Sequence, residues 1–237
     1  MKLAIFDIDG TLADTNKVDA ECFARAVTEE YGINDIDLEW TNYSDVTDSG
    51  IAGTLYKRKF GMPPTETDLQ RLRNRFVGHL GTSFAAQPAS FHQIPGASDV
   101  LQHLTKRTDW SIAYATGGWY DSAIFKLKSA GLPCDQIPLA TSDDGIDRVS
   151  IVKRSIELAR RHFSTNHFER TVLIGDAQWD AQAAISLLIP FIGVGEHNRF
   201  HDFSSVCIIT DFIDTTRFLQ CLESASVPER TSHAHFA

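Results

Sequence analysis

The sequence predicts an α/β protein: a doubly wound parallel sheet, interrupted after its first strand by an inserted helical domain. Three observations carry that reading. The apolar runs Leu3-Ala4-Ile5-Phe6 and Val172-Leu173-Ile174 lack the polar alternation of a half-exposed strand, as strands covered on both faces do. From residue 91 onward, such runs alternate with segments of helical period, the pattern of βα units. Between residues 15 and 90 helical periodicity prevails and no buried strand is legible.

Each element follows in order. The first strand is Leu3-Ala4-Ile5-Phe6, closed by Asp7. Val18, Cys22, Phe23, Ala26, Val27 and Tyr31 then recur at helical spacing over 16–31, and Gly32 supplies the stop. A polar stretch with Trp40 and Tyr43 leads to helices over 51–60 and 66–80, separated by Gly61-Met62-Pro63-Pro64. Beyond the insert the elements run helix 96–104, strand 110–115, helix 119–130, strand 137–140 and helix 149–163. Strand 171–174, helix 179–188, strand 191–194, strand 206–209 and a helix through Leu222 complete the series. The expected division is a core of 1–14 and 91–237 and an insert of 15–90, with a loosely held polar tail from Ser224 to Ala237.

A chain of 237 residues, 43% hydrophobic and 22% charged, has room for a substantial core and ordinary globular composition. Its net charge of −9 argues against nucleic acid as the main partner. No apolar run reaches the roughly 20 residues that span a bilayer, and the N-terminus enters a strand without a leader pattern. Cys22, Cys134, Cys207 and Cys221 show no CxxC or CxxH spacing. They fit a reducing cytoplasm better than a disulfide frame or a zinc site. Lys57-Arg58-Lys59 reads as a solvated helix face, and Trp40, Tyr43 and Tyr56 as core of the insert.

In an open parallel sheet, ligands bind outside the carboxyl ends of the strands. Polar residues gather there: Asp7 and Asp9 after the first strand, Thr116-Gly117-Gly118 after 110–115, and Asp176 after 171–174 with Asp180 four residues on. Two carboxylates as close as Asp7 and Asp9 need a cation, donors or a proton between them. An EF-hand loop places its glycine and distant glutamate elsewhere, so Asp7-Ile8-Asp9-Gly10 is not one. A dinucleotide site would carry G-x-G-x-x-G after the first strand, and that is absent.

Three segments, "DIDGTL" from Asp7, "YATGG" from Tyr114 and "GDAQWDAQAA" from Gly175, together resemble the haloacid dehalogenase (HAD) superfamily over nearly the whole chain. The resemblance implies a Rossmann-like core with an α-helical cap, a magnesium cofactor and an aspartyl-phosphate mechanism. Asp7 becomes the nucleophile and Asp9 the acid and base for leaving group and water. Magnesium would sit on Asp7, Asp9 through its carbonyl, and Asp176, with Asp180 in support. Thr116, Gly117 and Gly118 would hold the phosphoryl oxygens. The cation of the third motif is Arg148, which starts its helix, or Lys153, further in; the place of Arg148 is the better one.

The expected reaction is hydrolysis of a small-molecule phosphate monoester in the cytoplasm, acting on a phosphorylated metabolite. The alternative is a hexose-phosphate mutase of the β-phosphoglucomutase kind. Asp9 argues against a dehalogenase or phosphonate hydrolase, which do without it. A receiver-type signalling domain would be about half as long and lack the helical insert.

Overall fold

A computed structural model describes residues 1–107 and 109–231. The elements in chain order are β1 (Lys2–Phe6), β2 (Ala13–Asp14), α1 (Asn16–Tyr31), α2 (Asp48–Phe60), α3 (Glu66–Ala86), β3 (His92–Gln93) and α4 (Ala97–Thr105). They continue with β4 (Trp110–Ala115), α5 (Tyr120–Ser129), β5 (Leu139–Ala140), α6 (Arg148–His162), β6 (Thr171–Gly175) and α7 (Gln178–Leu187). The chain closes with β7 (Phe191–Val194), β8 (Phe203–Ser204), β9 (Cys207–Ile209), α8 (Thr215–Ser224) and β10 (Glu229–Arg230).

Six strands form one parallel sheet in the order β5-β4-β1-β6-β7-β9, with β1 central. The pleat sends alternate residues to opposite layers. Ala4, Phe6, Ile112, Tyr114, Val172 and Ile174 pack beneath α4, α5 and α8, as Leu101, Leu127 and Phe218 in the same cluster show. Leu3, Ile5, Ala113, Ala115 and Leu173 face α6 and α7, meeting Ile151, Val152 and Ala184. Both faces are covered, which is why these strands read as unbroken apolar runs.

A third core joins α1, α2 and α3 through Phe23, Val27, Leu55, Leu72 and Phe76. Tyr43 is buried in this cluster, and Trp40 and Tyr56 are packed against it. Lys57, Arg58 and Lys59 are exposed on α2. The insert leaves and re-enters the core side by side, since β2 pairs antiparallel with β3, Ala13 opposite Gln93 and Asp14 opposite His92.

Local chemistry shifts several predicted boundaries. Thr47 caps α2 by accepting from the Gly50 amide at 3.1 Å, so the helix starts at Asp48 rather than residue 51. The last turns of α3 carry it to Ala86, past the expected 80. The tail is not wholly loose: Glu229 and Arg230 pair with Ser204 and Phe203. Residues 232–237, also expected to be loose, lie outside the described residues.

The cysteine expectation needs a correction. Cys207 on β9 and Cys221 on α8 form a disulfide, with Cα atoms 6.1 Å apart, because α8 packs over the edge strand that carries Cys207. Only Cys22 and Cys134 are free. Among the described residues no helix is long and apolar enough to cross a membrane.

Candidate active site

The registers bring three strand ends together. Phe6 lies opposite Tyr114 on one side and Ile174 on the other, so Asp7, Thr116 and Asp176 leave the sheet at one edge. Just beyond β1 the chain turns sharply at Gly10, whose φ of +73° belongs to the left-handed region. A Cβ there would come within 2.1 Å of the Asp176 carboxylate, so the turn also needs the missing side chain.

Asp7 is buried and accepts from Arg148 Nη2 at 2.9 Å through Oδ1. Arg148, the first residue of α6, also donates to Asp180 Oδ1 through Nε at 3.0 Å and closely through Nη2. Asp147 caps that helix by accepting from the Ser150 amide at 2.9 Å, which fixes the turn that aims Arg148 inward. Burial opposes the guanidinium charge, but Asp180 and Asp7 outweigh it and hold Arg148 protonated. Lys153 stands exposed on α6 and does not line the cavity.

Asp176 accepts from Asn16 Nδ2 at 3.1 Å and Arg199 Nη1 at 2.8 Å. Burial lifts its carboxyl to about 7, Asp180 adding to the effect. Asp7 is likewise pushed well above the carboxylate range, by burial first, against the pull of Arg148. Oxygens of Asp7, Asp176 and Asp180 lie within 4.8 Å of one another. The buried Asp180 Oδ2 has no hydrogen-bond partner among the described residues. Three close carboxylates, an orphaned oxygen and carboxyls all driven toward protonation describe a pocket short of positive charge. An all-oxygen donor set of this kind fits a hard divalent cation such as magnesium.

Asp9 lies outside this carboxylate cluster. Its Oδ1 accepts from Thr15 Oγ1 at 2.6 Å and its Oδ2 from Lys126 Nζ at 2.5 Å. Lys126 reaches across to Asp19 Oδ1 of α1 at 2.6 Å, so one ammonium holds a carboxylate from each side of the cleft. Burial works against that charge, yet Asp19, Asp9 and Asp48 keep the lysine protonated. Thr116 is buried at the end of β4 and accepts from the Gly118 amide at 3.2 Å.

Asp7, Asp9, Thr116, Gly117, Gly118, Arg148 and Asp176 all line one cavity of about 590 Å³, a volume that includes space open to solvent. Its roof comes from the helical insert, including Phe23, Trp40, Asp48 and Ile51. The roof is held down by Trp119, which is 1% exposed. Its ring sits 5.9 Å from Phe23 and 6.1 Å from Phe76, and its Nε1 donates to Ser49 Oγ at 2.8 Å.

Sequence reasoning passed over Thr15, Asn16, Asp19, Asp48, Trp119, Lys126 and Arg199. For Lys126 a signal was present. Ser122, Ala123, Lys126 and Leu127 share the buried stripe of α5, and a lysine on such a stripe demands buried partners. Asp19 and Asp48 offered none, because an acidic residue in a first helical turn is ordinary capping chemistry.

A polar strand edge, a carboxylate cluster and a helical roof thus surround one cavity, and the family match says which class of enzyme builds it. The model of the haloacid dehalogenase-like hydrolases matches residues 1–187, and the chain belongs to that family. A curated relative, the phosphoglycolate phosphatase of Agrobacterium fabrum, is 27% identical over 198 residues, covering 81% of this chain and 79% of that one. A hydrolase from Pseudomonas syringae shares the fold with a TM-score of 0.69 at 22% identity, over 95% of this chain and all of the other. CbbY from Rhodobacter sphaeroides, solved with phosphate, aligns at a TM-score of 0.63 and 20% identity, over 90% and 95% of the two chains.

Proposed function

We propose that this protein is a magnesium-dependent phosphatase that hydrolyses a small phosphate monoester through an aspartyl phosphate on Asp7. The observation that carries the reading is the pairing on one cavity floor of a buried Asp7, held by Arg148, with a second carboxylate, Asp9, two residues on. Asp7 attacks phosphorus while the ester oxygen leaves, and Asp9 gives that oxygen its proton. Asp9 then takes a proton from the water that cleaves the acyl phosphate, which frees inorganic phosphate and restores Asp7.

The Thr116 hydroxyl and the amides after it are suited to the phosphoryl oxygens, and Arg148 keeps Asp7 oriented for in-line attack. Asp7, the Asp9 carbonyl and Asp176 would hold magnesium, with Asp180 in support. Bound there, the ion supplies charge neutralisation between the attacking carboxylate and the phosphoryl group. Phe23, Trp40 and Ile51 on the roof give the apolar cover that would limit bulk water when substrate is bound. The helical cap of 15–90 would open and close about the β2–β3 pair to admit substrate.

A mutase reading is less well supported. Returning the phosphoryl group to a second position requires the roof to hold another phosphate. Among the described residues lining the cavity, the roof offers no cation.

Phosphate release from a panel of esters, with and without magnesium, tests the proposal. Asp7→Asn should lower kcat by more than about a thousandfold, as loss of a nucleophile does, with an unchanged circular dichroism spectrum. Comparable turnover by the purified variant would remove Asp7 from its role.

A further inference from the structure

The roof of the cavity carries a chemistry of its own, and its bearing on substrate rests on the phosphatase reading. Asp19 and Asp48 are the charged side chains that the insert contributes to the lining. Asp48 is nine-tenths buried, and its Oδ2 accepts from the Trp119 amide at 2.9 Å. Among the described residues its Oδ1 accepts no hydrogen bond. The main-chain amide of Asp48 donates to the Gly117 carbonyl at 2.8 Å, which pins the residue directly over the strand-edge loop.

Among the described residues no cation answers these acids except Lys126, and Lys126 is already divided between Asp9 and Asp19. Arg148 is the one cationic residue lining the cavity among the described residues, and it is committed to Asp7 and Asp180. Arg73 lies behind the Trp119 ring and pairs with Glu66 and Asp143. Lys59 donates to the Gly32 carbonyl, and Arg58 covers the Tyr43 ring.

We propose that Asp48, with Asp19 beside it, forms the leaving-group subsite. It selects a phosphate ester whose leaving group presents hydrogen-bond donors, hydroxyl or ammonium, and carries no negative charge. Asp48 is nine-tenths buried yet keeps one oxygen without a protein donor on the cavity, and a donor on the leaving group supplies the partner that the described residues do not. A carboxylate or second phosphate at that place would face the like charge of Asp48 and Asp19 with no cation of the roof to offset it. The aromatic side chains of Phe23 and Trp40 on the same roof suit the C–H groups of a polyol or an ammonium group. The substrate therefore differs in kind from phosphoglycolate, whose leaving group bears a carboxylate.

The test compares sn-glycerol 3-phosphate and O-phosphoethanolamine with phosphoglycolate, using the full-length protein and magnesium. At least one of the two donors should exceed phosphoglycolate in kcat/KM by about a hundredfold or more. Asp48→Asn keeps an acceptor for the Trp119 amide, removes the charge, and should raise kcat/KM for phosphoglycolate by about tenfold or more. Calorimetric titration of the Asp7→Asn variant should give the same ranking of affinities without turnover. Phosphoglycolate binding as tightly as both donors, or an Asp48→Asn variant with an unchanged ranking, would overturn the subsite. Acetyl phosphate, whose short leaving group bears neither a hydrogen-bond donor nor a carboxylate in the ester, separates the two readings. If it is not hydrolysed the phosphatase reading falls, while the calorimetric ranking still decides the subsite.

Discussion

Asp9 and Asp19 approach from opposite sides of the cleft and meet on one ammonium, so Lys126 ties Asp9, the proposed acid and base, to the cap. Its side chain is 1% exposed, and both partners are largely covered. Removing one member of a buried ionic group strands the others. Lys126→Met, close in shape, should destabilise the fold by about 3–5 kcal/mol in denaturant titration. The variant should also lose turnover, because Asp9 is then held by Thr15 alone among its present side-chain partners. That Asp7, Asp9 and Asp176 share one cavity was legible, because the ends of neighbouring parallel strands lie side by side. Lys126 was harder to read, since its reason lies in aspartates 107 and 117 residues away along the chain.

At the scale of elements, β4, β6 and α1 were legible to within a residue, because continuous apolar runs and a clean helical stripe carry their own boundaries. The short pairs β2–β3 and β8–β10 were not, since two-residue strands have no period to detect and exist only through their partners. The Cys207–Cys221 bond was hidden for the same reason: its 14-residue separation says nothing until α8 is laid over β9. How the cap meets the core was equally invisible. Trp119 belongs by sequence to the core yet is buried in the cluster of α1, α2 and α3. Trp119→Ala should therefore cost about 3–5 kcal/mol. Hydrogen exchange should quicken in α1–α3 far more than in β1, β4 and β6, because the lost contact joins the two parts rather than either one to itself.

For the whole molecule, the buried acids set a pH dependence. Between the usual 3.8 and about 7, the folded chain keeps a proton on Asp176 that the unfolded chain has released. This site's contribution to stability therefore falls as pH rises through that window and levels off above it. Asp19, raised by burial to about 6, acts in the same direction. Magnesium, bound as proposed, would relieve the charge, so it should raise Tm more at pH 8 than at pH 5.5 in thermal unfolding, and Asp176→Asn should abolish the difference. One feature of the architecture reaches beyond stability. The insert departs at Ala13–Asp14 and returns at His92–Gln93 on paired strands, so its two ends touch. A segment whose ends touch can be lengthened, shortened or exchanged without displacing a single strand of the sheet. Descent can thus rewrite what the molecule recognises as a traveller changes an adaptor, leaving the wiring behind the wall as it was.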